Sequence, residues 1–319
     1  MLQEFKNRVF GAVIVRSINS NFNADFTHNP RTLPDGVVYS TDKALKYAIK
    51  DYFRKSLPNS IIFYIKRFNE NLNPLSLDET YQRIFGDFPK KENKNEIDRK
   101  ALLEKLLTAL DIRLFGATFA GKTNISIHGP VQINHGVNKF PENEIYNEDI
   151  LSPFADKEGA QMSTIGNQTN LKEGHYVFHF SINPKNTEEF YNMINQGKPD
   201  NEILCLSNED IVKLKEAMNR GVTLLDSSRK IGSENEATIW VQLKEGSKKV
   251  LPSFTELINV SRDGETAIID CSKVETTLKE IEEDIETIEI YYNPITTKII
   301  GCPKGSITKH FNILNNQEI

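Results

Sequence analysis

The chain has 319 residues with 39 Lys or Arg against 44 Asp or Glu, a formal net charge of −5, and is 38% hydrophobic and 26% charged. That composition excludes disordered and fibrous classes, and the length, enough for one large domain or two small ones, buries a core without disulfide or metal staples. No apolar run approaches the ~20 residues that span a bilayer, the N-terminus lacks the regions of a secretory signal, and Cys205, Cys271 and Cys302 form neither a zinc ribbon nor a disulfide framework. The expectation is a cytoplasmic protein with no membrane partner and no cofactor.

Charge is unevenly spread. Residues 1–67 hold eleven basic side chains against five acidic ones, whereas residues 256–290 hold three against eleven. Such a chain carries either two ordinary solvated faces, or a footprint for a polyanion together with an acidic surface for a basic partner or a second copy.

In chain order, GAVIVRS (11–17) predicts a first strand, and NSNFNADFTHNPRTLPDG (19–36), dense in Asn, Asp, Pro and Gly, predicts a long loop. STDKALKYAIKDYFRK (40–55) has a cap signal and helical apolar spacing, with Lys43, Lys46, Lys50 and Arg54 on its polar face. SIIFYIKRF (60–68) is β-branched and aromatic and reads as a strand, and residues 86–97 as a polar surface excursion. DRKALLEKLLTALDIRLF (98–115) reads as one helix stopped by Gly116. NISIHGPVQINHG (124–136) alternates, with Gly129–Pro130 marking an edge or bulge, and residues 138–174 lack periodicity and read as an inserted arm without its own core. Thereafter HYVFHFSINP is a strand, SNEDIVKLKEAMNRG a capped helix and ATIWVQLKEG a strand. Short strands TAIID and TIEIYYN flank an acidic helical stretch, VETTLKEIEEDIE.

The strongest elements, strand 8–17, helix 40–55, strand 126–135, strand 175–183, helix 208–220 and strand 237–245, run β-α-β-β-α-β. This is the split-βαβ, ferredoxin-like or RRM-like order. The fold class is therefore α+β: a single RRM-like palm over 1–319, with insertions at about 56–125 and, as a thumb, 138–174.

GATFAGKT (116–123) matches a phosphate-binding loop at Gly116, Gly121, Lys122 and Thr123. Phosphate binding requires a strand entering that loop and a helix leaving it, because the amides at the helix N-terminus hold the anion. Here a helix enters and a Gly–Pro-broken run leaves, so the bland reading of a helix cap and turn is preferred. The six histidines form no HExxH pair, no nucleophile elbow is present, and Asp25 is a lone acid in an Asn-rich turn.

A series of segments resembles the repeated backbone subunit of type I CRISPR surveillance complexes, nearest to the I-B and I-C branches. They are NSNFNADFTHNPR before STDKALKYAIKDYFR, then DIRLFGATF, SIHGPVQINHG, GHYVFHFSINP and SSRKIGSENEATIWVQL, in order over roughly residues 8–245. The resemblance implies an RRM-like palm with an inserted thumb, polymerising along a CRISPR RNA without a catalytic role. Its implied partners are the guide RNA, other copies of itself, other subunits of the complex, target DNA in the assembly and a recruited nuclease-helicase that does the cutting.

A guide held without regard to sequence needs phosphate and sugar contacts. Ser17, Asn19, Ser20, Asn21 and Arg31 around the first loop, Lys43, Lys46 and Arg54 on the helix, and Arg229 and Lys230 before the last strand are the candidates. Gln132 and Asn134 lie on the second strand, and Met162, flanked by Gln161 and Ser163 in the arm, is placed to wedge between bases. Two alternatives remain. One is a metal-dependent RNA nuclease of the related type III backbone class, with Asp25 as its acid; the other is a P-loop nucleotide hydrolase on Gly116–Thr123.

Overall fold

The N-terminal apolar run forms a strand buried along nearly its whole length, because the sheet around it is covered on both faces. Val9, Val13 and Val15 enter one core while Phe10, Ala12 and Ile14 enter the other, as the two-residue period of a strand requires. A computed structural model describes residues 3–92, 96–155 and 162–319. Its elements in chain order are β1 (Val9–Ser20), β2 (Tyr39–Ser40), α1 (Asp42–Ser56), α2 (Leu77–Phe85), α3 (Arg99–Leu107), α4 (Leu110–Phe115), β3 (Gly116–Ala120), β4 (Asn124–His128), β5 (Val131–Asn138), β6 (Ile145–Ala155) and β7 (Met162–Ile182). There follow α5 (Glu188–Asn195), α6 (Asn208–Arg220), β8 (Ser233–Leu243), α7 (Phe254–Leu257), β9 (Asn259–Asp263), β10 (Thr266–Asp270), α8 (Ser272–Lys279), β11 (Ile285–Tyr292), β12 (Thr297–Ile300) and β13 (Thr308–Asn312).

The main sheet runs β13-β11-β8-β1-β7-β5-β2, and β1 is antiparallel to both β7 and β8. On one face α1 and α6 bury Leu45, Ile49, Leu214 and Met218 against Phe178, Phe180 and Trp240. On the other, Phe254, Ile258, Val260, Val274 and Leu278 from the C-terminal third cover Val177, Ile239 and Val241. Each fully buried side chain of this size contributes about 1.5–3 kcal/mol, so both layers matter to stability.

Several expectations are corrected. Residues 60–68 are not a strand; the carboxylate of Asp111, itself buried, accepts the backbone N–H groups of Phe63 (2.7 Å) and Tyr64 (2.7 Å) and holds the segment irregular. The 98–115 run is two helices. It breaks at Thr108–Ala109, where the Arg113 guanidinium caps the carbonyls of Leu107 (3.2 Å) and Thr108 (2.7 Å). The 124–136 run is likewise two strands in different sheets, since β4 pairs with β3 whereas β5 joins the main sheet beyond Gly129–Pro130. The arm at 138–174 holds paired strands on either side of residues 156–161. β7 runs on past the sheet and pairs with β6 from Ile145↔Leu171 outward, a ribbon whose backbone bonds replace a core of its own.

The C-terminal layer is fastened to β7 through a buried charge cluster. The His175 ring lies 2.5 Å from Glu236 and 2.9 Å from Glu173, and Arg262 of β9 reaches Glu173 at 2.7 Å. Burial alone works against protonation of this imidazole, but the two carboxylates override it and raise the pKa from 6.5 to about 9. Because folding raises this pKa, the stabilisation is complete below pH 6.5 and is lost as pH climbs through about 9. Lys230, pushed by burial down to about 8, contributes with the opposite sign, so the two must be separated. The expected outcome is that the difference in melting temperature between the wild-type chain and His175→Gln shrinks across that window. A constant difference would show that the imidazole is neutral in the fold.

Candidate nucleic-acid interface

With both faces of β1, β7 and β8 covered, the exposed polar residues gather where those strands end and along β5. The loop after β1 is built from its own side chains. Asp25 Oδ1 accepts the Thr27 hydroxyl (2.7 Å), the Thr27 N–H (2.8 Å) and the Asn29 N–H (3.0 Å). The Thr27 hydroxyl above all, with the backbone donors, holds this carboxyl below the usual carboxylate range. Asp25 thus organises a turn, and among the described residues no three or more His, Cys, Asp or Glu are grouped to hold a metal ion. Asn23 Oδ1 accepts the N–H (2.8 Å) and hydroxyl (2.9 Å) of Thr41, the residue capping α1. Asn21 Nδ2 donates to the carbonyls of His28 (3.1 Å) and Thr169 (3.2 Å), and Asn19 accepts from Tyr146 (3.3 Å). The loop is therefore tied to α1 on one side and to the root of the arm on the other.

From that cap, α1 presents Lys43, Lys46, Lys50 and Arg54 at helical spacing along one face. The first three line an open cleft of about 330 Å³, together with Asp42, Tyr64, Asp111, His128 and Gln132. Lys43 is 84% exposed, and Lys46 leans on Asp42 at 3.2 Å. Lys50 is sunk deeper, and burial lowers its pKa. Arg54 continues the row beyond the cleft, paired with Asp51 at 2.6 Å. The cleft brings Lys43, Lys46 and Gln132 together; Asn134 is exposed two residues further along β5.

Other expected contacts lie inside the fold. The hydroxyls of Ser17, Ser20 and Ser233 bond one another at 2.7–3.2 Å with all three residues buried, so Ser17 and Ser20 serve the strand junction and offer no side chain to a ligand. Asn21 is buried as well. Lys230 donates to the Phe22 carbonyl and sits 4.7 Å over the Phe22 ring, which removes its charge from the surface. Arg229 and Arg31 are half-buried, the latter 6.0 Å from the ring centre of Phe26. Gln161 lies outside the described residues, and Met162 and Ser163 are placed by their backbone at the start of β7. Phe26 was not anticipated. Phe26 is 96% exposed, and the sequence carries no signal that separates it from Phe22, the buried aromatic four residues earlier in the same loop.

The Gly116–Thr123 string is a β-hairpin, β3 turning into β4, with no helix leaving it. Gly116 has φ 79°, and a Cβ there would lie 2.1 Å from the Ile127 carbonyl oxygen, so its glycine serves a tight turn. Lys122 lies over the Phe88 ring at 5.2 Å, and its N–H donates to Asp78 (3.1 Å).

The family model for CRISPR-associated protein Cas7 matches residues 7–286. The chain belongs to the Cas7 family. Among solved structures, a chain described as "CRISPR RNA-guided surveillance complex, pre-nicking" aligns with a TM-score of 0.58 at 11% identity over 96% of both chains, a likeness of fold. Another, described as "CRISPR RNA-guided surveillance complex", aligns over 88% of both chains at 13% identity and a TM-score of 0.46. No curated protein matches the sequence.

For this Cas7 chain Lys122→Ala is expected to leave folding and nucleic-acid affinity unchanged and to show no nucleotide hydrolysis to lose. An ATPase rate in the wild-type chain that disappears with Lys122→Ala would restore the phosphate-loop reading.

Proposed function

We propose that the chain is the CRISPR RNA-binding backbone subunit of a type I surveillance complex, of the I-B or I-C branch on the motif resemblance, acting without catalysis. Copies would line up along the guide and present it for pairing with target DNA, with cleavage left to a recruited nuclease-helicase and assembly in the cytoplasm. Among the described residues no helix is long and apolar enough to cross a membrane. The observation that carries the reading is the row Lys43, Lys46, Lys50 and Arg54, set on one helix face beside the first loop and the arm root. A cationic row on a rigid helix tracks a phosphate backbone without reading bases.

The spatial order β8-β1-β7-β5, with α1 and α6 on one face, supports an RRM-like palm spanning the chain. The β6–β7 ribbon, inserted between palm strands β5 and β7, supports its reading as the thumb, with Met162 near the tip as the wedge flanked by Gln161 and Ser163. Unlike an open RRM, this palm has its central strands β1, β7 and β8 covered on both faces, so the guide is assigned to the strand ends and the α1 cleft. Stacking of copies would set the basic N-terminal face against the acidic C-terminal surface, where Glu280 and Glu283 stand exposed.

Affinity for single-stranded RNA is expected to fall steeply with salt and to vary little with guide sequence. Changing Lys43, Lys46 and Arg54 together to Gln should reduce the slope of log Kd against log salt by about two, at roughly 0.7 per lost contact. An unchanged slope would place the RNA on another face.

Replacing residues 145–170 with a short Gly/Ser linker should keep the monomer folded, as circular dichroism would report, because the core strand of β7 begins at Leu171. Assembly into multi-subunit particles on RNA, followed by light scattering, should be lost. Full-size particles from the armless chain would remove the thumb from the assembly mechanism.

A further inference from the structure

The first loop carries a feature that neither phosphate binding nor the turn requires. Phe26 is 96% exposed although its neighbours Asn21, Asn23 and Asp25 are anchored by hydrogen bonds. Removing an exposed phenyl ring from water stabilises by a few kcal/mol, so leaving it at a loop tip forgoes that gain unless a ligand covers it. The loop does not let the ring fold back. Asp25 donates its N–H to the Asn29 carbonyl at 2.8 Å while its carboxylate accepts from Thr27 and Asn29, so the residues flanking Phe26 are closed into a fixed turn. The Arg31 guanidinium lies 6.0 Å from the ring centre, adding a cation to the aromatic surface.

We propose that Phe26, with Arg31 beside it, is a stacking platform for an unpaired nucleobase of the RNA bound by this chain. The proposal rests on the RNA-binding reading above and adds to it a base contact. Three observations favour a base over a protein partner. Phe22 of the same loop is buried, which leaves Phe26 as an exposed ring flanked by Asp, Thr, His, Asn and Pro, whereas a protein interface would bring further apolar area to the same spot. An aromatic face next to a guanidinium is the pairing that single-stranded nucleic acid engages, since every base offers a π-face and every nucleotide a negative charge. Finally, Asn23 couples this loop directly to the cap of α1, which fixes the platform relative to Lys43 and Lys46. A strand whose phosphates lie along that row would have a base within reach of the loop.

The test uses the full chain and an unstructured single-stranded RNA in which one base at a time is 2-aminopurine, whose fluorescence is quenched by stacking. Phe26→Ala and Phe26→Leu should weaken RNA binding about tenfold, the effect of losing one base–aromatic stack, and should relieve quenching at particular positions. Phe26→Trp should retain both affinity and quenching. The ring is exposed, so all three variants should melt like the wild type. Wild-type affinity and quenching with Phe26→Leu would overturn the proposal, because an aliphatic side chain cannot stack. Loss of particle assembly with quenching intact would assign the ring to a neighbouring protein and overturn it too. Failure of the wild-type chain to bind the RNA at all would instead overturn the RNA-binding reading on which the platform rests. The Lys43/Lys46/Arg54 variant separates the cases, since it should lose affinity whether or not Phe26 stacks.

Discussion

The central strands β1, β7 and β8 are covered on both faces, so the groups that can bind lie at the strand ends, on the outer side of α1 and along β5. α1 and α6 fill one face and the C-terminal elements the other, so Phe10, Ala12 and Ile14 are as inaccessible as Val9, Val13 and Val15. A β-α-β-β-α-β sheet with one open face binds ligands across that face; with its central strands covered, binding passes to the loops that leave the strands and to the edge beside α1. In this chain those loops are the turn of residues 21–38 after β1, the root of the β6–β7 ribbon and the SSRKIG turn before β8, joined by the Asn21–Thr169 and Asn21–Arg229 hydrogen bonds.

The C-terminal layer closes the second face through electrostatics as well as apolar packing. A buried imidazolium between two carboxylates is stable only while each charge has its partner, and removing one member leaves an uncompensated charge in a medium that cannot solvate it. His175, Glu236, Glu173 and Arg262 thus link β7, β8 and β9, and the integrity of the sheet depends on a cluster with its own pH dependence.

The segments that carried the family resemblance turn out to be mostly scaffold. In DIRLFGATF, Asp111 holds residues 63–64, Arg113 makes two bonds to Asp210 of α6 at 3.0 and 2.8 Å, and Gly116 turns the chain. In SIHGPVQINHG, Gly129 is packed so tightly on the DIRLF segment that a Cβ would lie 2.1 Å from the Phe115 carbonyl carbon. In SSRKIG, Lys230 turns inward onto Phe22 and Gly232 takes φ 94°. The fold needs such residues at fixed positions. They identify the family while saying little about where the ligand lies.

The sequence by itself determined the local elements and their order. Apolar period and caps placed β1, α1, α6 and β8 within a few residues, and the lysine face of α1 followed from helical spacing alone. Only the tertiary structure decided which polar groups remain available. Ser17, Ser20, Asn21 and Lys230 read as RNA contacts in one dimension, yet long-range contacts to Ser233, Thr169 and Phe22 use them internally. It also decided that 60–68 is no strand and that residues 145–155 and 162–171 pair as a two-stranded ribbon. The first depends on a carboxylate 48 residues away and the second on backbone pairing to an extended β7, and neither leaves a local periodic trace. Phe26 is the converse case: an apolar side chain held in solvent by a turn that its neighbours build.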